Sequence, residues 1–323
     1  MSAQRAILVV LAVTALALSG CGGGDADDPR EAPKVVLSLD FIPNAVHAPI
    51  YMAKEAGRDR AAGVDLVIRK PAGGPDALKL VAGGRVDLGV LDIHDLAIAR
   101  SQGADLVAIG ALVGRPLAAL ITRPGIERPR DLEGRTVGVS GLPSDPAFLR
   151  AILEHDGARY ERVRQVTIGF AAVSRLLSRR VDAVPAFWNA EGVALRRRGL
   201  AIREFRVDDY GAPPYPEVVF ITSRRSLERH RDRLQRTLTA IERGLRDTRA
   251  DPERAAGTIA RAAETRDLGL IRAQLRAVTP VFAPRLRLDR RVLERWADFD
   301  EEIGIVDQRP DVERAFDFSL VDR

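Results

Sequence analysis

The chain has 323 residues, with 50 Lys and Arg against 45 Asp and Glu for a formal charge of +5, 46% hydrophobic residues and a single cysteine. That length supports one large α/β domain or two lobes, and one cysteine excludes an intrachain disulfide. Lysine occurs only at 34, 54, 70 and 79, and the arginines are interleaved with acids. The basic balance is therefore not read as a nucleic-acid-binding stripe, and Arg196-Arg197-Arg198 and Arg224-Arg225 read as solvated helix ends.

Arg5 precedes an apolar run, Ala6 to Leu18, too short for a comfortable membrane span and followed by small residues, as in a secretory signal. Leu18-Ser19-Gly20-Cys21 is similar to the lipobox of bacterial lipoproteins, in which the cysteine carries lipid. Residues 1–20 are thus expected to be a lipoprotein signal peptide, Cys21 the lipidated residue, and 21–33 a flexible acidic tether. This places the folded body outside the cytoplasmic membrane, lipid-anchored to a bacterial membrane.

Val35 to Leu39 reads as a first strand that stops at Asp40-Phe41-Ile42-Pro43-Asn44. Pro43 cannot continue a ladder and biases Ile42 toward an extended conformation, so the chain turns before a helix over Ala48 to Gly57. Asp40, Phe41, Asn44 and His47 then lie at a strand's carboxyl end, the rim where open α/β sheets bind ligands. Capping of the turn by Asp40 and Asn44, with Phe41 in the core, is an equal reading.

Val64 to Ile68, the Val86 to Val90 run and Thr136 to Val139 read as further strands, alternating with helices over Pro75 to Val81, from His94, and over Ala147 to Leu153. Leu106 to Leu112 and Leu117 to Thr122 are two more apolar runs. The turn Ser140-Gly141-Leu142-Pro143-Ser144 before a helix is expected to point backbone N–H groups at a ligand's acceptors. Val166 to Ile168, Ala171 to Arg179 and Val181 to Val184 continue the alternation. From Ser226 onward the chain reads as helical, with Leu227, Leu234, Leu238, Ile241 and Leu245 as an apolar core stripe and Trp296 and Phe299 in the core.

The chain also compares with itself. Leu78 to Gly103 and Leu176 to Gly199 share one plan: helix, basic turn, Val-Asp, apolar strand, polar strand end, helix, glycine. Two copies predict two similar lobes, 34–122 with 215–323 forming one and 123–214 the other. The strand end at Asp92 and His94 then corresponds to Phe187-Trp188-Asn189-Ala190-Glu191, and both rims face one cleft. Capping or surface roles for Asp92 and His94, and a helix-dipole role for Glu191, stay open.

No nucleophile elbow, phosphate loop or metal spacing among the four histidines is present, so no catalytic residue, metal or cofactor is expected. What remains is a binding set: Phe41, Tyr51, Trp188, Tyr210 and Tyr215 as flat faces, with Asp40, Asn44, His47 and Glu191 as aimed polar groups. Such a set suits a planar heterocycle.

These residues resemble the solute-binding proteins of ABC importers in the thiamine-pyrimidine-precursor family, whose eukaryotic relatives are hydroxymethylpyrimidine phosphate synthases. The resemblance rests on Leu39 to His47, with Phe41 where the family usually has Trp, and continues through Gly63-Val64-Asp65-Leu66, Gly134 to Gly138, Gly169-Phe170, Val181-Asp182-Ala183, Phe187 to Glu191 and Gly211 to Tyr215. It implies a two-lobed type II periplasmic binding protein fold, with mostly parallel sheets flanked by helices. It further implies a small-molecule solute held by Glu191 against an aminopyrimidine edge, a ring sandwiched between Trp188 and another aromatic, and Asn44 with the Ser140 to Ser144 turn on a substituent. Expected partners are an ABC permease and its ATPase subunits, with the receptor a monomer. Riboflavin, alkanesulfonates and nitrate are carried by relatives. In the enzyme branch a histidine and a cysteine-rich segment carry the chemistry, and here no cysteine follows Cys21.

Overall fold

The computed structural model describes residues 32–71 and 76–321. The expected signal peptide, Cys21 and most of the tether lie outside the described residues. Within them run β1 (Lys34–Ser38), β2 (Asp65–Arg69), β3 (Leu88–Asp92), β4 (Leu106–Val113), β5 (Ala118–Thr122), β6 (Thr136–Val139), β7 (Arg164–Thr167), β8 (Ala183–Phe187), β9 (Arg203–Arg206) and β10 (Val218–Ser223). They form two five-stranded sheets, ordered β2-β1-β3-β10-β4 and β7-β6-β8-β5-β9.

The two orders are one topology. Replacing β1, β2, β3, β4 and β10 by β6, β7, β8, β9 and β5 turns the first into the second. The repeat legible in the sequence is thus a repeat of whole sheets. Each consists of a parallel triplet, flanked by an antiparallel strand that arrives from the other half and a final edge strand.

That arriving strand is the one reversed strand of each otherwise parallel sheet: β10 runs antiparallel to both β3 and β4, and β5 to both β8 and β9. It also accounts for one departure from expectation. β5, expected to close the first lobe at residue 122, pairs entirely within the second sheet, so the chain leaves the first sheet between Val113 and Ala118. A local apolar run carries no mark of which sheet it joins.

Burial on both faces explains the near-continuous apolar strands: Val35, Leu37 and Leu39 are fully covered, and all eight residues of β4 are buried. β4 is the end of its sheet's order, yet Ala108 bridges to Phe316 and Val113 to Phe282, so C-terminal segments cover that edge. The expected stripe Leu227, Leu234, Leu238, Ile241 and Leu245 is buried along the helix Arg224–Ala250, which departs from helical geometry at His230. This helix lies against Ala48–Glu55 at Gly244, where a Cβ would overlap Pro49 O and sit 2.6 Å from Ala53 N.

Candidate ligand-binding site

A cavity of about 270 Å³ opens beyond the carboxyl ends of strands from both sheets. Asp40, Phe41, Asn44 and His47, beyond β1, line one wall with Asp92 and His94 at the end of β3. Opposite stand Ser140, Gly141 and Ser144 beyond β6, and Phe187 and Glu191 at the end of β8. The two rims predicted from the repeat do meet.

The stretch after β1 is largely bonded to itself. Asn44 Oδ1 accepts the Val46 N–H at 2.9 Å, and its amide donates to Ile42 O at 3.2 Å. His47, 1% exposed, accepts the Asn44 N–H at Nδ1 (3.2 Å), which leaves Nε2 to donate to Asp40 Oδ1 at 2.8 Å. Capping and site-lining thus hold together: the network aims the Asp40 carboxylate and the Phe41 ring into the cavity.

The Ser140 to Ser144 turn differs from expectation. Gly141, at φ +91°, bends the chain so that one carboxylate oxygen of Asp145 takes the Gly141 N–H (2.8 Å), the Leu142 N–H (3.2 Å) and the Ser140 hydroxyl (2.9 Å). The donors expected to meet a ligand are already used by this chain. Burial still raises the Asp145 pKa against those bonds. Ser144 N–H is used too, by Asp95 Oδ1 at 3.1 Å, a bond that crosses the cleft from the first sheet's helix Ile93–Ser101.

Five predicted contacts lie off the cavity lining. Trp188 follows Phe187 at a strand end, where successive side chains face opposite ways, and its indole is covered by the Arg206 guanidinium at 4.3 Å while Nε1 donates to Pro116 O at 3.2 Å. In this structure it stands outside the cavity that a ring would enter. Tyr215 is fully buried edge-on to His94, with ring centroids 4.7 Å apart, and Tyr210 packs on His155 and Phe205. Tyr51 sits in the helix Ala48–Glu55, where burial pushes its hydroxyl up to about 12. Asn189 is fully buried in the π-turn Trp188–Gly192.

The aromatic pair that does span the cleft is Phe41 with Phe170, their ring centroids 4.0 Å apart and tilted by 51°. Phe170 follows Gly169, whose φ of +54° turns the chain after β7. An aromatic after a glycine at a strand end was the legible signal for it.

The densest chemistry is a set of carboxyl groups on the first wall. Glu217, immediately before β10, is fully buried and uses Oε2 to accept the N–H groups of Leu117 and Ala118 (3.1 Å to the latter) where β5 begins. Its side chain and that of Asp92 are hydrogen-bonded to each other. Asp92 caps the following helix through His94 N–H at 2.8 Å. Burial, then the charge of Glu217, pushes Asp92 well above the usual carboxylate range, and burial raises Glu217.

His94 donates from Nδ1 to Asp300 Oδ1 at 2.6 Å. Trp296 Nε1 is 3.3 Å from that nitrogen, which cannot also accept, so the shorter carboxylate bond governs. Burial lowers the His94 pKa, but Asp300, Asp92 and Glu217 together override it and raise it to about 10. Burial and then Asp92 push Asp95 up to about 8, and burial raises Glu191, whose Oε2 accepts the Phe187 N–H at 3.2 Å. Among the described residues, no three of these side chains converge to hold a metal ion, and no arginine lines the cavity.

Residues 44–255 match the NMT1/THI5 like family. The chain belongs to that family. It is 32% identical over 231 residues, 71% of this chain and 69% of the other, to a formylaminopyrimidine-binding protein of Halalkalibacterium halodurans. It is 25% identical over 293 residues, 88% of this chain and 90% of the other, to a 4-amino-5-hydroxymethyl-2-methylpyrimidine phosphate synthase of Legionella pneumophila. Among solved structures, the alkanesulfonate-binding protein SsuA of Xanthomonas axonopodis pv. citri, bound to MOPS, superposes with a TM-score of 0.71 at 18% identity, over 88% of this chain and 98% of that one. The family member described here therefore has the two-lobed periplasmic binding protein fold.

Proposed function

We propose that this protein is an extracytoplasmic receptor, lipid-anchored through Cys21, that captures a small planar heterocycle of the aminopyrimidine kind and delivers it to an ABC permease and its ATPase. The observation that carries this reading is the chemistry of the cavity wall. Asp40, Asp92, Asp95, Asp145, Glu191 and Glu217 line it without an arginine among the described residues. Such a wall favours a solute rich in N–H donors over a sulfonate or nitrate, for which the lining, among the described residues, offers as cations only Lys79 and His94, the latter already paired with Asp300. A volume of about 270 Å³ suits one ring with short substituents rather than a flavin.

Glu191 is the group we assign to the amino edge, with Phe41 and Phe170 closing over the ring. A receptor is favoured over a synthase because both His47 ring nitrogens are committed within the chain, to Asp40 and the Asn44 N–H, and no cysteine follows Cys21. Calorimetry with 4-amino-5-hydroxymethyl-2-methylpyrimidine, riboflavin and alkanesulfonates tests the reading: binding of the pyrimidine alone is expected. Glu191→Gln should weaken it by about 1.5–3 kcal/mol, the worth of a hydrogen bond to a charged group. Tight sulfonate binding, or an unchanged affinity in Glu191→Gln, would overturn it.

A further inference from the structure

We propose that Gln274 is a positioning residue for ligand capture: from a helix of the C-terminal segment it fixes the turn that carries Glu191, so that Glu191 reaches its place as the cleft closes. The inference rests on the reading of Glu191 as the group at the ring's amino edge, and adds what seats it there.

The helix Leu268–Val278 packs against elements from both walls of the cavity. On one side it meets the turn Ala45–His47; on the other it meets the π-turn Trp188–Gly192 and the helix Val193–Arg197 that follows. Near its amino end, Arg197 lies 3.5 Å from Asp267, which caps the helix by accepting the Leu270 N–H at 2.8 Å. Facing the π-turn is Gln274, only 6% exposed, whose Nε2 donates to Ala190 O at 3.2 Å. A carbonyl can only accept, so the amide must present its nitrogen there.

That bond does little for the fold. Ala190 O already takes the Val193 N–H, so it is satisfied without Gln274. Gln274 Oε1, in turn, is buried with no partner among the described residues. An apolar side chain of the same length would remove that oxygen, so for stability alone glutamine is unfavourable here.

What the bond does supply is a fixed point on the peptide that enters Glu191. The Glu191 carboxylate lines the cavity and accepts the Phe187 N–H at 3.2 Å, which ties it to the start of its own turn. Gln274 ties the other end of that turn to an element packed on the opposite wall. A π-turn is a single widened turn without neighbours of its kind to hold it, so an outside bond sets where it sits. Opening the cleft carries Ala190 away from Gln274 and frees the turn; closing it restores the bond and aligns Glu191 with the ring in one event.

The experiment is a double-mutant cycle on the full chain with 4-amino-5-hydroxymethyl-2-methylpyrimidine. Gln274→Met, Glu191→Gln and the pair are compared by calorimetry, by stopped-flow binding and by melting without ligand. Gln274→Met keeps the length of the side chain and loses the donor. It should weaken binding about fivefold, the worth of one neutral hydrogen bond, through faster release. The melting temperature of the ligand-free protein should stay level or rise. In the Glu191→Gln background the further loss from Gln274→Met should shrink below about twofold, because the carboxylate it seats is gone.

A glutamine that serves only the fold would lower the melting temperature and weaken binding by the same factor in both backgrounds. That result, or unchanged affinity in Gln274→Met, overturns the inference and leaves the aminopyrimidine reading standing. Failure of the unmutated chain to bind the pyrimidine, or Glu191→Gln binding as tightly as its parent, overturns both.

Discussion

Single residues decide whether an aromatic or a histidine serves the ligand or the fold. Trp188 and Phe187 are neighbours, yet only Phe187 lines the cavity; Trp188 lies under Arg206 and bonds Pro116 O. Trp188→Ala should therefore lower the melting temperature while leaving ligand affinity within about threefold, whereas Phe170→Ala should weaken binding by about 0.5–1.5 kcal/mol with little effect on melting. The reverse pattern in calorimetry would return Trp188 to the site. His94 supplies a second case. Its folded pKa, about 10, lies above the ordinary 6.5, so the folded state holds the proton more tightly than the unfolded chain does. The stabilisation is fully present below pH 6.5 and is lost as pH rises through 10. Melting the protein and His94→Gln side by side should show a gap in midpoint that narrows steadily from pH 6.5 to pH 10. A constant gap would mean the histidine contributes packing alone.

Elements were legible where a period or a breaker marks them. Gly244 shows what such marks conceal: it sits inside a strongly periodic helix, and only the packed structure reveals that a Cβ there meets Pro49 O and Ala53 N. Gly244→Ala should destabilise the fold by about 1–3 kcal/mol even though alanine favours the helix, because the two helices must separate. Denaturant unfolding at or above the parent's stability would contradict that. The same division runs through the sheets. The helices and strands of the repeat over Leu78–Gly103 and Leu176–Gly199 were visible from alternation and turn chemistry, and they placed the rims at Asp92 and Glu191. Strand order was not visible, since β5 and β10 owe their places to pairing across the molecule. Glu217 was missed for the same reason. It follows Pro216 in a link between lobes, outside any period, and becomes a cavity residue only when β10 pairs with β3.

At the scale of the whole molecule, a receptor of this fold works by favouring a closed form when ligand touches both walls. Contacts that already join the two halves include Phe41 against Phe170, Asp95 Oδ1 accepting the Ser144 N–H, and Gln274 donating to Ala190 O at 3.2 Å. The burial that accompanies the second is linked to protonation. Asp95 is 1% exposed, and burial with the adjacent Asp92 and Asp145 raises its pKa to about 8. Opening the cleft lets water reach the carboxyl and returns it toward the ordinary 3.8. The closed form therefore binds the proton more tightly, and its advantage, full below pH 3.8, is lost progressively as pH rises to 8. Dyes on Val67→Cys and Val166→Cys, partly exposed positions on the outer strands of the two sheets, would read the distance between lobes by energy transfer. Transfer in the ligand-free protein should fall steadily from about pH 4 to pH 8 and level off above it. Asp95→Asn, neutral at every pH and still an acceptor for Ser144, should abolish that fall, and Asp95→Ala should stay open throughout with weakened ligand affinity. If Asp95→Ala closes as readily as its parent, the bond to Ser144 is a passive consequence of closure, and the aromatic pair, the Gln274–Ala190 bond and the ligand hold the jaws together.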